Sequence, residues 1–104
     1  MRYIILYTTI DNLNIGKKIV KKLLEERLIA CANIFKITSY YWWNNKIEKG
    51  REYGIFLKTT KEKYKVIEKK IKELHPYEVP CLLELNINRG YKKYLDWLAK
   101  EVRE

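Results

Sequence analysis

The chain contains a single histidine, His75, set in the segment His75-Pro76-Tyr77-Glu78-Val79-Pro80. Two chemistries suit it. At the end of a helix an imidazole can cap the last carbonyls and complement the helix dipole. In a turn whose shape two prolines fix, the same ring can contact a metal or a ligand, with Glu78 as an acceptor and Tyr77 as an aromatic wall. The soft donor nearest in kind is Cys31, although a strand cysteine between Ala30 and Ala32 also suits a small core position. Cys31 and Cys81 lack the C-x-x-C spacing of a redox or zinc motif, and in a cytosolic chain such a pair reads as free thiols. Neither cysteine stands beside His75 in a nucleophile motif, and no glycine-rich phosphate loop is present. Glu48, Glu52, Glu78 and Glu84 offer carboxylates, but acidic residues on strands usually face solvent. The residues therefore favour a binding protein over an enzyme.

The elements that must position these groups follow from periodicity. Tyr3 to Thr9 is a compact β-branched and aromatic run and reads as a central strand. Asp11, Asn12 and Asn14 offer N-caps for a helix over Leu13 to Leu28, with Ile15, Ile19, Val20 and Leu23 on one stripe. Gly16 falls on that stripe and permits close approach to a sheet. Cys31 to Trp43 and Lys46 to Thr60 read as the two arms of a long hairpin. Gly50 and Gly54 in the return arm suggest a bent or irregular strand. Thr59 with Glu62 fits a capping box for a helix carrying Tyr64, Ile67, Ile71 and Leu74. Pro76 ends it and pushes His75 toward extended geometry. Cys81 to Ile87 reads as a fourth strand, and Tyr91, Tyr94, Leu95, Leu98 and Val102 mark a last helix. The order is an α+β, ferredoxin-like split βαβ (βαββαβ plus a C-terminal helix), one domain over residues 1–104 with sheet order 4-1-3-2. That order sets Cys31 and Cys81 on opposite edges, about 14 Å apart, too far for a bridge within the chain.

The 104-residue chain carries a formal charge of +9, mostly on lysine-rich helices. A solvated helix face explains such lysines; a nucleic-acid partner is the alternative. Lys49-Gly50-Arg51-Glu52-Tyr53-Gly54-Ile55-Phe56 lies where an RNA-recognition motif carries its stacking rings, but Arg51-Glu52 separates Gly50 from Tyr53 and breaks that spacing. RNA binding stays a minor alternative. No stretch resembles a signal peptide and no apolar run approaches the roughly 20 residues of a membrane span, so a cytoplasmic protein without a membrane partner is expected.

The hairpin tip, Tyr40-Tyr41-Trp42-Trp43-Asn44-Asn45-Lys46-Ile47-Glu48, makes the strongest structural demand. Asn-Asn suits a type I′ turn because asparagine tolerates positive φ, and closing it there pairs Trp43 with Lys46 and Trp42 with Ile47. A 13-residue arm spans about 43 Å, whereas the first helix covers about 24 Å. The end overhangs, and its aromatics require a covering surface, most simply another copy of the chain.

With the hairpin and proline turn in hand, the sequence closely resembles the CutA divalent-cation tolerance family. The matching residues are Tyr7-Thr8-Thr9, Leu24 to Ile34, Tyr41-Trp42-Trp43, Lys46-Ile47-Glu48, Glu52, Leu57-Lys58-Thr59, His75 to Pro80 and Tyr94-Leu95-Asp96-Trp97-Leu98. The resemblance implies a ferredoxin-like homotrimer similar to that of PII signalling proteins, cytoplasmic location, and binding of copper or another divalent ion linked to metal tolerance. It implies no enzymatic activity. On this reading His75 is the metal contact, with Glu78 or Cys31 as secondary contacts. Glu52, Lys58 and Tyr77 are cleft residues, and Tyr40, Tyr41, Trp42 and Trp43 form the trimer interface. The family's glycine at the second turn position is Asn45 here. Where some members carry further Cys or His ligands, this chain has Tyr7 and Leu74, which favours a metal site built from several subunits, or a weak one.

Overall fold

The computed structural model describes residues 2–103. Its elements run β1 (Tyr3–Ile10), α1 (Leu13–Glu25), β2 (Cys31–Trp43), β3 (Lys46–Thr60), a 3₁₀ turn (Lys61–Lys63), α2 (Tyr64–Leu74), β4 (Leu82–Ile87) and α3 (Lys92–Glu101). The antiparallel sheet has the order β2-β3-β1-β4, as the split βαβ pattern predicts. Along β1, buried and half-buried residues alternate, so Ile4, Leu6, Thr8 and Ile10 face the helices while Tyr3, Ile5, Tyr7 and Thr9 face the other way. Ile19 and Leu23 of α1 and Ile67 and Ile71 of α2 close the core over Ile4, Leu6, Ile55 and Leu57. Gly16 lets α1 sit close: a Cβ there would stand 3.2 Å from Ile10 Cγ2.

Asn12 caps α1, its Oδ1 accepting from Ile15 N at 3.0 Å. The helix ends at Glu25, short of the expected Leu28. Arg27 adopts φ 59°, Arg27 N donates to Leu24 O and Leu28 N to Leu23 O, a Schellman closure built on a residue other than glycine. Arg27 is held there from outside: Nη1 reaches Glu101 Oε1 at 2.7 Å, and its carbonyl accepts from Arg103 N.

The hairpin forms in the expected register, Trp43 opposite Lys46 and Trp42 opposite Ile47, with φ 50° and 62° at Asn44 and Asn45. β3 pairs with β2 without a break from Lys46 to Lys58, so the irregularity expected at Gly50 and Gly54 is absent. Gly54 instead makes room for a ring. A Cβ there would lie 2.7 Å from Phe35 Cε2 and 3.2 Å from Tyr7 Cε1.

The expected capping box does not form. Thr60, not Thr59, precedes the helical segment and makes no side-chain cap bond. Buried Thr59 donates its hydroxyl to Leu28 O at 2.6 Å, tying β3 to the segment after α1. Thr59→Val keeps the shape and leaves a buried carbonyl unpaired, so stability will fall by about 1–3 kcal/mol in denaturant unfolding. An unchanged midpoint would remove this tie from the account.

Candidate functional site

The proline turn after α2 is tied to the sheet by one histidine. Extended backbone at His75 (φ −78°, ψ 134°) ends α2 ahead of Pro76, and His75 N still donates to Ile71 O. The ring is only 7% exposed. Its Nε2 lies 2.7 Å from Thr9 O at the end of β1, and its Nδ1 lies 3.1 Å from Tyr77 N. A carbonyl can only accept and a backbone N–H can only donate, so Nε2 carries the hydrogen and Nδ1 the lone pair. Both ring nitrogens are thus in use within the chain.

Tyr77 packs edge-on against His75 at 4.6 Å between centroids, and its hydroxyl donates to Glu52 Oε2 at 2.7 Å. The chain His75–Tyr77–Glu52 therefore joins the turn to β1 and to β3 where the hairpin begins to overhang. Burial, the bond to Glu52 and the nearby charges of Glu52 and Asp11 push the Tyr77 phenol well above its ordinary range. Cys81 stands in the same neighbourhood: burial and then Glu52 raise its thiol pKa. Burial, Cys81 and Glu52 raise that of Tyr7. This corner favours neutral phenols and a neutral thiol around one carboxylate.

The retained phenol proton makes stability depend on pH. The folded state holds the phenol's proton beyond the pH, about 10, at which the unfolded chain releases it. Above that pH the unfolded state binds fewer protons, so stability falls as pH rises; below it Tyr77 contributes no slope. Denaturant unfolding between pH 9 and 11 will show a steeper loss for the native chain than for Tyr77→Phe. Equal slopes would contradict this.

Of the residues expected to line a cleft, Glu52 and Tyr77 meet and Lys58 stands apart. Lys58 lies six residues along β3 from Glu52, about 20 Å, and donates its Nζ to Tyr94 Oη at 3.3 Å. The expected metal donors are also dispersed. Thr9 pairs with Gly54, and Gly54 with Phe35, four residues along β2 from Cys31. Cys31 is therefore about 13 Å along the sheet and roughly 10 Å across it from the strand end that His75 touches. Glu78 lies within the turn, exposed. Among the described residues no group of three or more His, Cys, Asp or Glu is placed to hold a metal ion. One chain alone does not fit a closed metal site. Both cysteines are free.

The residues expected at an interface lie where the hairpin leaves the domain. Trp42 is 72% and Trp43 60% exposed, with Tyr40, Tyr41 and Ile47 also exposed. The sheet face away from α1 and α2 adds exposed Phe35, Leu83 and Leu85. Tyr53 turns instead toward the helix layer, opposite Ile10 and packed on the core. That orientation removes the ring on which the RNA alternative relied.

Both the sequence and the fold match known proteins. The model of the CutA1 divalent ion tolerance protein family matches residues 4–101. The chain belongs to the CutA1 family. It is 43% identical over 101 residues to the divalent-cation tolerance protein CutA of Pyrococcus horikoshii, covering 97% of this chain and 99% of that one. The solved structure of the periplasmic divalent cation tolerance protein CutA from Archaeoglobus fulgidus superposes with a TM-score of 0.94 at 39% identity, covering 97% of this chain and 99% of that one. CutA1 from Oryza sativa superposes with a TM-score of 0.96 at 34% identity, covering 100% and 96%. In CutA1 terms the proline turn and hairpin are thus parts of a shared fold. The contact of His75 with Thr9, 66 residues away, had no signal in the sequence. Cys81 was also missed at this corner; its place just before β4, beside the turn, was the one available cue.

Proposed function

We propose that this chain supports tolerance of divalent metal ions, copper among them, as a homotrimer of the PII-like kind, with metal held between copies. The observation that carries the assembly is the projecting hairpin, whose four consecutive aromatics are exposed in the single chain. A sheet face carrying Phe35, Leu83 and Leu85 supports it, because apolar surface of this extent on a soluble chain marks an interface. Metal sharing is supported by the separation of Cys31 from His75 within one chain, and the link to divalent ions by the family to which it belongs. Glu78 is exposed and available, whereas His75 ligates only by giving up Thr9 O or Tyr77 N. Cytoplasmic location belongs to the same reading and is supported by the two free cysteines.

Copper titration of the assembled protein tests the metal reading. The expected result is fewer than one ion per chain, with affinity reduced at least tenfold in Glu78→Gln and in His75→Ala, each confirmed folded by circular dichroism. Identical titrations of both variants and the native chain would overturn the donor assignment.

A further inference from the structure

β1 stops at Ile10, opposite Tyr53, while β3 runs on to Lys46, unpaired on that side among the described residues. The missing strand leaves a notch of about 450 Å³ lined by Asp11, Lys36, Ile37, Thr38, Arg51, Glu52 and Tyr53. Its volume lies within the range of small-molecule sites. Strand pairing sets Lys36 opposite Tyr53 and Thr38 opposite Arg51, so these four side chains share the helix-side face, with Lys36 and Arg51 diagonal neighbours. Such diagonals are about 7–8 Å apart, a separation that one oxyanion can bridge.

The charges are unspent. Among the described residues the ion pairs are Lys22–Glu26, Arg27–Glu101, Lys61–Glu84, Lys65–Glu68, Lys70–Glu26 and Lys92–Asp96, and neither Lys36 nor Arg51 takes part. Of the two carboxylates at the notch, Glu52 is occupied by the Tyr77 hydroxyl. Asp11 is exposed on the rim. A planar guanidinium, a mobile ammonium and a hydroxyl on one face form the donor set that recognises phosphate and carboxylate oxygens. Tyr53 supplies a ring wall, and Asp11 an acceptor for a donor group elsewhere on the ligand.

We propose that this notch binds a small organic oxyanion, a phosphate or carboxylate, with Lys36, Arg51 and Thr38 holding the anionic group. The site lies within one chain and does not rest on the metal reading. Calorimetric titration of the full chain at low salt, with a chelator present to exclude metal-bridged binding, tests it with three probes: pyrophosphate, AMP and citrate. The expected result is saturable binding of at least one probe at one per chain, weakened tenfold or more in Arg51→Gln and in Lys36→Gln. Lys93→Gln, which removes an exposed charge on α3, will leave it unchanged. Binding by pyrophosphate and AMP but not citrate assigns phosphate; the reverse assigns carboxylate. Absence of binding by all three, or equal weakening by Lys93→Gln, would overturn the site, the latter by showing attraction to net charge alone. Failure here leaves the copper titration unaffected, since that experiment reads different residues.

Discussion

Replacing Trp42 and Trp43 together with alanine will convert the assembled protein into folded monomers. The two rings are mostly exposed in the single chain, so removing them costs the subunit little of its own core. In an assembly each becomes a large aromatic anchor, and such anchors contribute on the order of 2–4 kcal/mol apiece when truncated. Two of them correspond to at least a ~10³-fold rise in the dissociation constant, at about 1.4 kcal/mol per factor of ten. Far-ultraviolet circular dichroism should stay near the native spectrum while light scattering reports a single-chain mass. If the double variant kept the native mass, the tip would not be an assembly surface. If it unfolded outright, the rings would belong to the subunit core instead.

His75→Ala is expected to have the largest effect of any single change at the proline turn. The substitution leaves Thr9 O without its donor and Tyr77 N without its acceptor, and it opens a void under a ring that is almost fully buried. Lost buried hydrogen bonds cost about 1–3 kcal/mol each, but these two belong to one side chain and will not add fully. A fall of roughly 2–4 kcal/mol in denaturant unfolding is expected. Faster hydrogen exchange should be confined to residues 75–80 and to the end of β1. Cys31→Ser, half-buried and far along the sheet, should leave this exchange unchanged. Native stability and unchanged exchange in His75→Ala would deny the ring its role as a strut.

Those two expectations draw on different parts of what the sequence shows. Local chemistry was legible. Asn44-Asn45 announced positive φ, Pro76 announced the extended His75, and the cluster Asp11, Asn12 and Asn14 announced the start of α1, because each acts on residues within a few positions of itself. What failed depended on partners distant in sequence. Gly54 suggests a bent or irregular strand, but the ring of Phe35 from the neighbouring strand explains it. Thr59 read as a cap, but Leu28 O claims its hydroxyl from 31 residues away. Arg27 ends α1 early because Glu101 and Arg103, near the far end of the chain, hold it in a left-handed conformation.

The candidate site divides in the same way. Tyr77 and Glu78 follow His75 in sequence, and their association with the turn needed no folding information. The resemblance groups Lys58 with Glu52, yet six strand residues separate them along β3 and Tyr94 holds the lysine. The notch beside Glu52 arises from a difference in strand length between β1 and β3, which only the register reveals. Its cations, Lys36 and Arg51, were indistinguishable from the other lysines and arginines of a basic chain.

We propose that the overhanging hairpin joins copies of this chain around shared metal contacts. Native mass measurement, with and without copper, tests it most directly. The account predicts a three-chain mass in both conditions, with copper adding fewer than three ions per assembly. A single-chain mass at micromolar concentration would contradict it, whatever metal the monomer bound.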